Sequence, residues 1–141
     1  MTDISNFYRE SIVIDGLNVS NWDSPAVYQN LAAGGVTATN ATIATWENYR
    51  ETLDHIQAWL QRFANCGETL MQIKTTKDIL AAQKTSKVGV ILGFQNATPI
   101  ENDLGHLEIF YALGVRIIQL TFHERNLLGD GCWESANAGL S

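Results

Sequence analysis

Residues 87–94, KVGVILGF, constrain the fold more than any other stretch of the chain. After the lysine every residue is apolar or glycine, and no period of two separates a buried face from a wet one. A run of strand length with that character is buried on both faces, as in a parallel sheet covered by helices. Parallel neighbours require crossovers, so helices must alternate with strands along the rest of the chain.

The flanking sequence supplies that alternation. Residues 4–9 read as a short lead-in helix and Ile12–Asp15 as a first strand, within IVIDGLNVS. Ser24-Pro25 opens a helix, with Ser as N-cap and Pro at the first helical position, and Gly34-Gly35 closes it. VTATNATIA (36–44) is β-branched at Thr37, Thr39 and Thr42 and reads as a second strand, in which Asn40 must find a partner. Trp46, Tyr49, Leu53, Ile56, Leu60 and Phe63 recur every three or four residues, predicting one face of a helix that Thr45 caps and Gly67 stops. Trp59 borders that stripe, and His55 beside it reads as a solvent-edge or satisfied histidine. TLMQIK (69–74) is a third strand, Thr76–Lys84 a short helix, and KVGVILGF a fourth strand. Thr98-Pro99 opens a helix that runs to Gly114, with Ile100, Leu104, Leu107 and Tyr111 facing inward; His106 is a surface or helix-packing residue. VRIIQLTF (115–122) is a fifth strand. The remaining HERNLLGDGCWESANAGLS is polar, rich in glycine and without a helical period, a poor place for a domain to end. The class is α/β, and residues 1–141 read as one domain, the N-terminal half of something longer.

Charge and composition narrow the function. The net charge is −6, with nine Lys and Arg scattered, so no basic stripe is present to neutralise phosphates and nucleic acid is not an expected partner. The apolar runs are strand-sized and the first ten residues lack the pattern of a secretion signal, which leads us to expect a cytoplasmic protein with no membrane partner. Cys66 and Cys132 are far apart without a CxxC, so free thiols are expected.

VIDGLN, GGVTA and the block GFQNATPIENDLGHLEIFYALGVRIIQLTFHERNLLGDGCWESANAGLS together resemble the membrane (renal) dipeptidase family of amidohydrolase-type metallohydrolases. The likeness is densest from Gly93 to Ser141. It implies a TIM (β/α)8 barrel with a site at the carboxyl ends of the strands, normally holding two zinc ions bridged by a carboxylate and hydrolysing a dipeptide or another small amide. Such barrels need about 250 residues, so this chain would supply roughly the first five βα units, with the later histidine ligands beyond Ser141.

The chain departs from the family pattern at four positions in three places. The resemblance puts a His-x-Asp pair where this chain has Leu17 and Val19, neither of which can bind a metal. The bridging glutamate is replaced by Gln95, whose neutral amide is a weak ligand. A further histidine falls at Phe122, with His123 one place later, and in a strand that offset would turn the ring to the opposite face. One zinc at most is therefore expected, with Gln95 as its ligand from this segment. Asp15 has two readings, a surrogate base at the strand end or a turn residue that accepts N–H bonds before Gly16; with His123 it is a candidate catalytic group. Gln95 and Asn96, buried amides that must be paired, read as a recognition pair over the barrel mouth. Asn126 and Asp130, with Glu124, lie in the long loop where binding groups concentrate. The expected partner is a small-molecule substrate, and a homo-oligomer is allowed. The competing readings are a non-catalytic barrel relative that binds a small metabolite, favoured by the apolar Leu17 and Val19, and a small doubly wound domain complete in itself.

Overall fold

A computed structural model of the chain describes residues 4–140. Helix α1 spans Ile4–Glu10, strand β1 Ile14–Asn18, α2 Pro25–Ala33, β2 Ala38–Ala44, α3 Tyr49–Asn65, β3 Leu70–Gln72, α4 Thr76–Thr85, β4 Val88–Phe94, a 3-10 turn Thr98–Ile100, α5 Gly105–Leu113 and β5 Val115–Ile118. All strand pairings are parallel, so the chain is the predicted α/β alternation.

The order differs from a simple succession of five units. β2 pairs β4 directly, with Ala38 opposite Gly89 and Ala41 opposite Leu92. The other edge of β4 is shared: β3 takes Val88–Val90 and β5 takes Leu92–Phe94. Three residues is all that β3 contributes, so β1, β2, β4 and β5 form the continuous sheet and β3 fills in at its amino end.

Every residue of β4 is buried, and its two faces meet different partners. Val88, Val90, Leu92 and Phe94 join Trp22, Tyr28, Ile56, Trp59 and Phe110 in the main core beneath the helices. Ile91 lies on the opposite, inner face with Ile73 and Ala82. Phe94 meets Phe110 edge to face at 4.9 Å, an arrangement that contributes about 1 kcal/mol beyond burial. Trp59, expected at the border of the α3 stripe, is core, packed edge-on against Trp22 at 5.0 Å.

Several predicted boundaries move. β1 begins two residues later than expected and continues through Asn18. α3 is capped by Asn48, whose side chain accepts from Glu51 N–H while Glu51 accepts from Asn48 N–H; this reciprocal pair displaces Thr45 as cap and leaves Trp46 outside the helix. With the start moved by a turn, Tyr49, Leu53, Ile56 and Phe63 keep to the core and Leu60 falls at its exposed edge. The helix expected from Thr98 to Gly114 is broken. Glu101 adopts φ 55°, its carboxylate accepts from Tyr49 N–H, and Asp103 accepts from Gly105 N–H, so local side-chain bonds replace a helical turn. Phe110, not Leu104 or Tyr111, is the inward residue of α5. His106 packs α5 onto α3, stacking on Tyr49 at 3.8 Å. Cys66 and Cys132 are free thiols.

Candidate functional site

In a parallel sheet of this kind the strand carboxyl ends form one rim, where side chains from different strands converge. Here the rim collects Asp15–Val19 after β1, Ala44–Glu47 after β2, Gln95 and Asn96 after β4, and the loop that follows β5.

Asp15 makes the bonds of a turn residue. Its Oδ1 accepts from Leu17 N–H at 3.2 Å, and Oδ2 accepts from Asn18 Nδ2 at 3.0 Å and Thr39 Oγ1 at 3.4 Å. It stands in register with Thr39, and the period of two puts both on the face opposite Asn40, toward the helices. Leu17 and Val19 are 49% and 71% exposed at the rim. On the inner face Asn40 donates to Gly16 O at 3.0 Å, the partner it needs, but its Oδ1 is buried and unpartnered among the described residues.

Gln95 and Asn96 are 5% and 2% exposed. Gln95 N–H bonds Ala44 O at 2.8 Å, extending the β2–β4 ladder by one step. The structure brings Asn96 and Asn126 together: Asn126 Nδ2 donates to Asn96 Oδ1 at 2.5 Å and to Leu120 O at 2.6 Å, while Asn126 Oδ1 accepts from Leu128 and Gly129 N–H. This pair latches the loop to the end of β4. Asp130 belongs to the same loop and accepts from Arg125 Nε and from Ala138 N–H. The Arg125 guanidinium, followed by the Ala138 N–H, holds its carboxyl below the ordinary range. The tail is thus an ordered loop with antiparallel bridges from Gly129 to Asn126 and Leu140, rather than an unpaired stretch.

Only a strand that runs through residue 122 would turn His123 to the face opposite Phe122. β5 ends at Ile118, so Phe122 and His123 lie in the loop with their rings stacked at 3.7 Å. Trp133 stacks on the other side of His123 at 3.7 Å, and Trp46 borders all three rings. His123 Nδ1 is buried without a partner among the described residues. Trp46 and Trp133, 48% and 65% exposed, give the rim an aromatic side.

Sequence reasoning did not find Glu47 as a rim residue. Its Oε2 accepts from Thr45 and Trp46 N–H at 2.6 and 2.9 Å. His55 Nδ1, 2.8 Å from Ile43 O, lies 4.0 Å from Glu47 Oε1. The only signal in the sequence is a carboxylate three residues past a strand end, which is common in loops.

These residues do not fit the two-zinc centre that the resemblance implies. Leu17 and Val19 offer no lone pair, Gln95 offers a neutral amide, and Asp15 is turned toward the helices. Among the described residues no group of three or more His, Cys, Asp or Glu is placed to hold an ion.

The family model for membrane dipeptidase (peptidase family M19) matches residues 3–141. An amidohydrolase from Pseudomonas aeruginosa superposes with a TM-score of 0.93 and 35% identity, over 97% of this chain and 42% of that one. The probable dipeptidase PvdM from Pseudomonas aeruginosa shares the fold at TM-score 0.78 and 12% identity, over 89% of this chain and 38% of its own. So does a metallo peptidase from Rhodobacter sphaeroides, liganded with a phosphinate mimic of the dipeptide L-Ala-D-Ala, at TM-score 0.73 and 15% identity, over 85% and 48%. No curated protein matches the chain. The chain spans less than half the length of these solved relatives. The family model covers nearly every residue, and the parallel strands with their rim superpose on the same fold, so the chain belongs to the membrane dipeptidase family.

Proposed function

We propose that the complete polypeptide carrying this segment is a hydrolase of the dipeptidase type, cleaving a dipeptide or another small amide with a degenerate site that holds one zinc ion at most. The observation that carries this reading is the family match over residues 3–141, supported by 35% identity to an amidohydrolase. The dipeptide mimic bound by a relative of the same fold supports a small peptide as the ligand class. Within this reading Gln95 and His123 are the groups of this segment that meet the ligand. Asn96, Asn126 and Asp130 hold the loop beside it, and Asp15 holds the end of β1. No step is assigned to an ion on these residues, because Leu17, Val19 and Gln95 do not fit one.

A second reading, a non-catalytic relative that binds a small metabolite, is favoured by the exposed Leu17 and Val19, which make the rim apolar where the family is charged. Zinc content by elemental analysis, together with hydrolysis of a dipeptide series, separates the two. About one zinc per chain with turnover supports the hydrolase. A metal-free protein that binds dipeptides but cleaves none supports the second reading. The double substitution Leu17→His and Val19→Asp should raise the zinc content; no change would show that these strand ends do not face an ion site.

A further inference from the structure

Phe122, His123 and Trp133 form a column of three stacked rings. His123 lies 3.7 Å from Phe122 on one side, tilted by 22°, and 3.7 Å from Trp133 on the other, tilted by 14°. Trp46, from the segment after β2, stands beside the column with its centroid 5.9, 5.7 and 6.1 Å from Phe122, His123 and Trp133. The backbone fixes this arrangement. Cys132 N–H donates to Phe122 O and Trp133 N–H to His123 O, both at 2.8 Å. A Cβ at Gly131 would lie 2.3 Å from His123 C, so only glycine lets the two segments approach this closely. Rings held in this way are preorganised, and a ligand that uses them loses little entropy in ordering them.

Trp46 and Trp133 are both exposed. Other rings of the chain are covered by its own cations, Arg62 4.6 Å over Trp59 and Arg116 3.9 Å over Tyr111. Among the described residues no cation covers Trp46 or Trp133, and Arg125 is engaged by Asp130 through its Nε and by Glu134 through its N–H. Two adjacent exposed indoles on a strand-end rim mark a binding surface. They carry at most about 500 Å² of side-chain surface, less than the about 800 Å² that each partner of a stable protein interface buries. Carboxylates follow both in sequence, Glu47 after Trp46 and Glu134 after Trp133. The fitting occupant is therefore a small molecule. The column itself shows the contact these faces make, ring on ring and nearly parallel. A further flat ring repeats that contact, whereas a puckered aliphatic ring brings fewer atoms to a flat face.

We propose that Trp46 and Trp133 form a stacking subsite for a flat aromatic ring, so that the ligands of this protein are small amides with an aromatic side chain. His123, which meets the ligand in the hydrolase reading, is the middle ring of the column, so a ring on Trp133 lies one side chain away from it. That the carrier is an amide rests on the hydrolase reading, whereas the preference for a flat ring rests on the column and its open indoles.

The test is calorimetric titration of the complete polypeptide with phenylacetamide, cyclohexylacetamide and acetamide. The first two share the amide and differ in whether the ring is flat. Burial alone favours the cyclohexyl ligand, which has the larger apolar surface, so a preference for phenylacetamide reports stacking. The wild type should bind phenylacetamide about fivefold more tightly than cyclohexylacetamide, the scale of one aromatic pair, and acetamide more weakly than either. Trp133→Leu should remove most of the preference and Trp133→Phe should keep it. Trp46→Leu, in a different segment, should lower it as well, which keeps the proposal testable if Trp133→Leu misfolds. Equal binding of the two ring amides by the wild type, or a phenyl preference that survives both leucine substitutions, overturns the subsite. So does a failure of phenylacetamide to bind; dimers that then dissociate on Trp133→Leu would assign the indoles to contact between copies. Hydrolysis is followed separately, as ammonia release from the amides and glycine release from glycylglycine. A phenyl preference lost in Trp133→Leu without any turnover leaves the subsite standing and removes the hydrolase reading; turnover with binding indifferent to Trp46 and Trp133 does the reverse.

Discussion

Alanine at Gly93 is a direct test of how the inner face of the sheet is packed. A Cβ built there lies 2.1 Å from Asn40 Oδ1 and 3.0 Å from Asn40 Cγ, well inside contact distance. The Asn40 amide has little room to retreat, because the residue is 4% exposed and its Nδ2 is held by Gly16 O. Making space means breaking that bond. Overpacking a filled interior costs about 1–3 kcal/mol, and losing the hydrogen bond adds about 1 kcal/mol. Gly93→Ala alone is therefore expected to destabilise by about 2–4 kcal/mol on those two terms. Asn40→Ala removes the obstacle, and the loss of its bond is partly offset because Oδ1 had no partner, for a net cost of about 1 kcal/mol. In the Asn40→Ala background the new methyl enters vacated space and should cost less than about 1 kcal/mol, which gives a coupling of about 1–3 kcal/mol between the sites. Equilibrium urea unfolding of the complete polypeptide and the three variants, with equal m-values required, measures the cycle. Additivity to within about 0.5 kcal/mol would refute the reasoning, since neighbours that collide must couple.

Asn48→Ala removes half of the capping box of α3 and should cost about 1 kcal/mol by the same unfolding assay; an unchanged midpoint would mean that core packing alone positions the helix. Asn126→Asp replaces the amide that donates to Asn96 Oδ1 and Leu120 O with a second acceptor, and should undock the loop, read as increased exposure of Trp133 in its fluorescence. The Asp130 carboxyl is held below its ordinary value of about 3.9 by Arg125 and Ala138 N–H, so its contribution to loop docking is complete above that value and is lost as pH falls through the lower folded one. Acid titration of Trp133 fluorescence should show that loss, and Asp130→Asn should remove it; an identical acid limb in the variant would rule out Asp130 as the group responsible.

The legible parts of the fold were those where one residue type answers to one local demand. KVGVILGF is apolar because both faces of β4 are covered, and that can be read without knowing by what. Ser24-Pro25 marks the start of α2 through the fixed φ of proline, although the Ser24 side chain makes no capping bond. The α3 stripe was legible in its spacing and misread at its start, because Asn48 and Glu51 satisfy each other's N–H groups and begin the helix one turn after Thr45. The break before α5 was missed because Glu101 finds its partner in Tyr49, 52 residues away, and such a bond leaves no periodic trace.

The site divides along the same line. The sequence alone determined the alternation of strands and helices, the likeness to the dipeptidase family and the absence of any metal-binding atom at Leu17 and Val19, since a side chain without a lone pair lacks one in every fold. Only the tertiary structure decided that β2 lies beside β4, that Asp15 faces the helices, that Asn96 and Asn126 satisfy each other, and that Trp46 stands beside Phe122, His123 and Trp133. Each of those depends on which distant segments share an edge or a rim. That is set by parallel pairing across crossovers, and no local pattern of residues encodes it.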